Sequence, residues 1–474
     1  MEVVEIARRD GGVAKVSHER VADLEGRMRG RVGEPGDRPF ERACAIWNGM
    51  IDRQPSLVAR CEGQRDVVEA VKFAGEHDLL VSVRGGGHNV AGHAICDEGL
   101  TIDLTLMNSV HVNSDTGTVR VGPGCRWSDV DRETQLFGLA VPNGIVSTTG
   151  VAGLTLGGGF GWLSRKWGFT CDNLRSVDVV TADGQTVRAS REQNSELFWG
   201  LRGGGGNFGV VTSFEFQARP VGPEVVAGIT IHPREDAERA FELFREVTAD
   251  APEEMTCLLT LRNAPPAPFV DDQWHGKPIA GLVVCHTGPI EEARRAVAPI
   301  RDFGEPVGQN IGVKPFAAHQ QMLDGGQPSG RNYYWKSEYV DDLTDEFRDT
   351  LFEQTDELPS PFSAILLMHL GGAISRSPDG ETAASHRDAQ YVLNIASGWE
   401  DQPDEGPVAW ARRFWEAVQP HAHGGSYVNF LTDDEGGDRV RGAYDEETWE
   451  RLISLKREFD PENRFRVNQN IPAK

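Results

Sequence analysis

No stretch of the 474-residue chain approaches the ~20 consecutive apolar residues that a membrane-spanning helix needs. The opening MEVVEIARRDGG has no apolar run followed by a small-residue cleavage site, so no secretory leader is expected and the reading is a cytoplasmic protein with no membrane partner. Positive charge is scarce: 48 Lys and Arg face 72 Asp and Glu, a net charge of −24. That field repels phosphate backbones and argues against nucleic acid as a partner. Cysteine is sparse too. Cys44, Cys61, Cys96, Cys125, Cys171, Cys257 and Cys285 form no C-x-x-C pair and are odd in number, which argues against a disulfide framework or a thiolate zinc site. The absence of any Gly-Lys-Ser/Thr removes a phosphate-binding P-loop.

What the chain does have is glycine: 54 residues, with dense clusters at 84–89, 157–161 and 203–209. The length calls for two or three lobes. In the first, RDVVEAVKFAGEHD places Val67, Val68, Val71 and Ala74 on one helical face. Short strands follow at 79–83, 100–104 and 118–122, and VDVVTADGQTVRAS reads as a hairpin turning at Asp183-Gly184. Arg219-Pro220-Val221-Gly222-Pro223 is a rigid boundary. Beyond it, amphipathic helices such as DAERAFELFREVTA and EEARRAVAPIRDF alternate with strand-like IAGLVVCHT and FSAILLMHL. Near residue 424 the texture changes again, to GGSYVNF, a helix around Trp449 and Leu452, and FDPENRFRVNQNIP.

Glycine lets a ligand approach backbone N–H groups closely, and several such loops together point to a large anionic ligand such as a dinucleotide. Gly204, Gly206 and Gly209 fit G-x-G-x-x-G, but a helix precedes them and a strand follows, the reverse of the Rossmann order. His88, directly after three glycines, is either a loop hydrogen-bond donor or an imidazole aimed at the ligand.

RGGGHNVAG (84–92), TTGVAGLTLGGGFGWLSRKWGFTCDNL (148–174), LFWGLRGGGGNFGVVTSFEF (197–216) and the closing YVNF … LKREFDPENRFRVNQNIP resemble the berberine bridge enzyme-like oxidases of the vanillyl-alcohol oxidase superfamily. The resemblance covers nearly the whole chain. It implies an α+β fold in two lobes: a PCMH-type FAD-binding domain over 1–218, a substrate-binding α+β domain built on an antiparallel sheet over 219–424, and a C-terminal segment over 425–474 that returns to the first domain.

The same resemblance implies the site. Arg84, Gly85, Gly86, Gly87 and Asn89 would cradle FAD, and His88 would bond covalently to the flavin 8α-methyl group. Many relatives form a second link through a cysteine, but here Val146 holds that position in GIVSTTGV, so a single histidyl link is expected. Thr148 and Thr149 would lie beside the flavin, with Thr149 at the oxygen-gating position. Gly150, Gly153, Gly157, Gly158, Gly159 and Gly161 would pass under the ring system and ribityl chain. Asp172 and Asn173 would shape the adenosine side, and Asn207, Gly209 and Val211 would close over adenine and ribose. Asn468 and Asn470, with Tyr427 and Asn429, would bring the C-terminal segment onto the flavin.

For catalysis, plant relatives place a glutamate a few residues beyond a Gly-Gly pair. Here that pair is Gly371-Gly372 and Arg376, which cannot act as a base near neutral pH, stands at the matching position; other bacterial relatives use tyrosines, and the resemblance implies Tyr427 as the candidate base. The Tyr333-Tyr334-Trp335 triplet reads either as a pocket wall for a ring-bearing substrate or as a core strand. His421 and His423 lack a third ligand nearby, so no metal is expected. The implied reaction moves hydride from an alcohol, sugar or amine to FAD and then to O2, giving H2O2. A secondary-metabolite tailoring flavoenzyme, or a flavin-binding protein without turnover, are the other readings. Small-molecule substrate and O2 are the expected partners, and a monomer or small homo-oligomer the expected state.

Overall fold

The computed structural model describes residues 3–378 and 380–473. The first sheet has four strands in the order Arg31–Gly33, Leu57–Arg60, Leu100–Asp103, Val81–Arg84, and its last two pairings are parallel. The helix Gln64–His77 carries the chain from Leu57–Arg60 across to Val81–Arg84, two strands parallel to Leu100–Asp103 between them, and it buries Val67, Val68, Val71 and Ala74 as its spacing predicts. The strand Val81–Arg84 ends where the first glycine cluster begins.

A five-stranded antiparallel sheet stands beside it, in the order Thr186–Ser190, Leu174–Val180, Val210–Gln217, Thr118–Val121, Val110–Asn113. Its first pair is the hairpin read from the sequence, with Gly184 left-handed at the turn. At the N-terminus Val3–Ala7 and Val13–Ser17 form a hairpin through the turn residues Asp10-Gly11-Gly12 before the helix His18–Arg27 starts.

All strands of the eight-stranded antiparallel sheet fall between 224 and 399. Its order is Gly308–Gln309, Glu224–Pro233, Pro278–His286, Met255–Asn263, Ala364–His369, Tyr391–Trp399, Asn332–Val340, and Gly312–Pro315 also pairs with Glu224–Pro233. Alternation along each strand splits the side chains between two faces. Tyr334, Leu367, Leu393 and Ile395 pack on the helices Ala237–Ala249, Asp345–Gln354 and Glu405–Val418. Tyr333, Trp335 and Ala396 face the other way, toward Trp47 and Val90 of the first lobe. EEARRAVAPIRDF is not one helix but two, Ile290–Ala296 and Ala298–Arg301, with Pro299 at the start of the second.

The helix Glu446–Phe459 closes the molecule. Leu452 and Leu455 enter the first-lobe core beside Leu197 and Phe208. Lys456 and Asp460 on the same stretch are both 0% exposed and 2.8 Å apart, and Lys456 Nζ also donates to the carbonyls of Asn207 and Phe465. Among the described residues no helix is long and apolar enough to cross a membrane.

Candidate active site

One cavity runs between the lobes, and its walls come from the loop after Val81–Arg84, the loop and helix around Gly150, the stretch 205–211, the inner face of the eight-stranded sheet, and residues 427–430 and 465–469. The first two walls cross where only glycine fits. A Cβ on Gly86 would stand 2.4 Å from the Cα of Gly150, backbone against backbone. Gly85, Gly86, Gly87, His88 and Asn89 all line the cavity. Arg84 does not. Its guanidinium folds behind the loop and donates to the carbonyls of Arg42 (3.0 Å), Ala43 and Ala45 (2.8 Å), so it supports the cradle from outside.

Among the described lining residues there is no Asp, Glu, Lys or Arg. A pyrophosphate held here meets backbone N–H groups, the task for which clustered glycines are suited. His88 Nε2 is buried without a partner, as is Asn468 Oδ1 on the opposite wall, and buried polar atoms of this kind are completed by a ligand. Burial pushes the His88 imidazole down to about 3, so it is neutral at any physiological pH. The glycine cradle and the unpartnered atoms together fit FAD.

The other expected residues divide. Val146, Thr149, Gly150, Gly153, Asn207, Gly209 and Val211 line the cavity, whereas Thr148 is half-buried outside its wall. Asn207 also ties the C-terminal segment down, donating to Gln469 O and accepting from Ile471 N. Gly157, Gly158, Gly159 and Gly161 do not reach this wall. Their turn packs against protein instead: a Cβ on Gly161 would lie 2.0 Å from the Asn143 carbonyl oxygen, and one on Gly157 would strike the Asn429 amide. Asp172 is held by Arg387 at 2.7 Å, and Asn173 bonds Trp167, Phe169 and Arg219, so both brace the fold away from the cavity. Asn470 likewise lies outside the lining residues. The seven cysteines are all free, and Cys171 is buried beside Asp172.

The loop 143–149 is fixed from behind by the second lobe. Gln320 Nε2 donates to Asn143 Oδ1 and to the Gly144 carbonyl, and Asp324 accepts from the Ser147 amide and hydroxyl at 2.8 and 2.6 Å. Asp131, 2% exposed, accepts from Asn143 at 3.0 Å, and burial raises its carboxyl to about 7.

Tyr427 lines the cavity, and its hydroxyl oxygen accepts from Gly159 N at 3.1 Å and Asn429 Nδ2 at 2.8 Å. Burial raises the phenol above its ordinary value, so it stays protonated and can donate a hydrogen bond but does not stand ready as an anionic base. Arg376 is exposed and paired with Glu253, remote from this wall. The cavity is also lined by Phe160, Trp335, Leu366, Asn394 and Phe430, none of which was assigned a role from the sequence except Trp335 within its triplet. Asn394 and Leu366 are directly paired across neighbouring strands, and Asn394 Oδ1 and Trp335 Nε1 are buried without partners. An asparagine inside the otherwise apolar YVLNIASGW was the one available signal for Asn394. Phe160 and Phe430 carry none.

Comparison with known proteins agrees with this geometry. Residues 55–190 match the FAD binding domain family, and residues 426–472 match the berberine and berberine like family. An FAD-linked oxidoreductase of Dictyostelium discoideum is 31% identical over 90% of this chain and 90% of its own length. The (R)-6-hydroxynicotine oxidase of Paenarthrobacter nicotinovorans is 32% identical over 94% of this chain and 97% of its own. The crystal structure of 6-hydroxy-D-nicotine oxidase from Arthrobacter nicotinovorans superposes with a TM-score of 0.84, covering 94% of this chain and 98% of that one at 30% identity. With the glycine cradle, the two-lobed fold and the matched C-terminal segment in agreement, the chain belongs to the berberine bridge enzyme-like FAD-linked oxidases.

Proposed function

We propose that the protein oxidises a small organic molecule, an alcohol, sugar or amine, by hydride transfer to FAD attached through His88 alone, with O2 as the final acceptor and H2O2 as the product. FAD, when bound, supplies the two-electron acceptor. The observation that carries the reading is His88: a neutral imidazole with an unpartnered Nε2, on a glycine loop lining the cavity. Forming the link takes one hydrogen from the 8α carbon and one from the imidazole, and the two electrons pass to O2 to give H2O2, so attachment needs no oxidant beyond that of turnover. Val146 on the same wall is a hydrocarbon and forms no second link.

The protein's own part is positioning and exclusion of water. Phe160, Trp335, Leu366 and Phe430 enclose the substrate, while Asn394 and the Tyr427 hydroxyl offer the polar contacts. An amine in its free-base form loses hydride directly to give an iminium ion, so that substrate class needs no carboxylate or lysine as base. The test is the visible spectrum before and after acid precipitation. Yellow colour in the washed pellet, released to the supernatant in His88→Ala, is the expected result. Colour released from the unaltered protein removes the histidyl link, and slow reoxidation by dissolved O2 in stopped flow would make the enzyme a dehydrogenase.

A further inference from the structure

The segment 45–51 passes between the lobes, and its aromatic residue is sandwiched. The Trp47 ring lies on His88 at 4.4 Å with an 18° interplanar angle, and on Tyr333 at 3.9 Å and 6°. The backbone locks this arrangement. Trp47 N donates to the Gly87 carbonyl at 2.9 Å, Gly330 N donates to the Trp47 carbonyl at 2.8 Å, and the indole N–H donates to Gln327 O at 3.0 Å. Asn48 continues the clamp: its Nδ2 donates to the carbonyls of Val90 (2.7 Å) and Tyr333 (2.9 Å), and its Oδ1 accepts from Tyr333 N at 3.0 Å. Two adjacent residues therefore hold both sides of the histidine loop, at Gly87 and Val90, against the first turn of a second-lobe strand.

The imidazole needs such a clamp. Its Nε2 has no hydrogen-bond partner and the ring otherwise bonds to its own backbone, so the stack on Trp47 is what fixes the ring plane from outside the loop. Bond formation at one nitrogen depends on holding that nitrogen in a near-attack orientation, and a ring free to rotate loses most of that advantage. Near-parallel aromatic neighbours supply orientation without competing for the lone pair.

We propose that Trp47, backed by Tyr333, is the positioning residue for His88, so that covalent flavin attachment requires the strand Asn332–Val340 of the second lobe to be docked against the glycine loop. The proposal rests on His88 being the attachment residue. Apoprotein is mixed with FAD and O2, and the acid-stable flavin fraction and the intact mass are followed with time for the unaltered protein, Trp47→Phe, Trp47→Leu, Tyr333→Leu and His88→Ala, together with each variant's melting temperature. Trp47→Leu is expected to bind FAD yet attach it at least about fivefold more slowly, with Tyr333→Leu slowed less and Trp47→Phe near the unaltered rate. Attachment by Trp47→Leu at the unaltered rate, or slowing in Trp47→Phe equal to that in Trp47→Leu, overturns the proposal. If the unaltered protein itself releases all its flavin to acid, the attachment reading fails and the proposal with it. Loss of the acid-stable flavin in His88→Ala alone leaves the attachment reading standing while the role of Trp47 falls.

Discussion

Replacing Lys456 by methionine tests how the C-terminal helix governs the cavity. Lys456 Nζ makes three bonds, to Asp460 Oδ2 (2.8 Å), Asn207 O (2.8 Å) and Phe465 O (2.9 Å). Asn207 and Phe465 both line the cavity, so one buried ammonium joins two of its walls. Methionine nearly fills the same volume but leaves the Asp460 carboxylate, itself 0% exposed, with only the amides of Arg464 and Phe465 as donors. Removing one partner of a buried pair costs about 3–5 kcal/mol. At ~2.1 cal/mol/K of unfolding entropy per residue, 474 residues give about 1 kcal/mol per degree, so the melting temperature falls by about 3–5 °C. FAD retention through gel filtration falls with it in a noncovalent His88→Ala background. Lys456→Met/Asp460→Asn, which removes both charges, loses less than the sum of the two single variants. A melting temperature within 1 °C of the unaltered protein in Lys456→Met, with cofactor retained, would refute the reasoning.

Asp131 makes stability depend on pH. Its carboxyl is raised from 3.8 to about 7 by burial, so the folded state prefers the proton; the stabilisation is fully present below about 4 and is lost as pH rises through about 7. Asp131→Asn is expected to flatten the fall in denaturation free energy between pH 4 and 7 by a few kcal/mol, on the order of the shift itself, in urea titrations at several pH values. For Tyr427→Phe, reduction of the flavin by substrate slows by less than about tenfold and acquires no new pH inflection between 6 and 9, since a neutral phenol contributes one hydrogen bond. A loss of a thousandfold in anaerobic stopped flow would restore Tyr427 as a proton acceptor.

The cofactor lobe was legible because its message is local. His88 and its glycines form one contiguous run after a strand, and a Cβ at Gly86 is forbidden by a single neighbour. The glycines of 157–161 look the same in sequence but serve a close-packed turn, because a demand for missing side chains does not say whether backbone or ligand takes the space. The resemblance places Arg84 in the FAD cradle, and its guanidinium serves three backbone carbonyls behind the loop. The second-lobe wall of the cavity was legible only in part. Strand alternation sends Tyr333 and Trp335 to the inner face and Tyr334 to the helices, and of the triplet Trp335 alone lines the cavity. Trp47 sits in an irregular loop, and its stack depends on a residue 286 positions away, a pairing that no periodicity encodes.

The cavity's scattered walls also set when the site can exist. Gly86 and Asn468 face the same space although almost four hundred residues separate them in the chain. Contacts of such separation form late in folding, after the intervening loops have been closed. A nascent or partly folded chain that has made only the glycine loops offers FAD half a binding site, so the cofactor selects the finished molecule and stabilises it alone. With the proposed histidyl link in place, that stabilisation would no longer depend on the concentration of free FAD: each molecule would carry a permanent record of having folded correctly once.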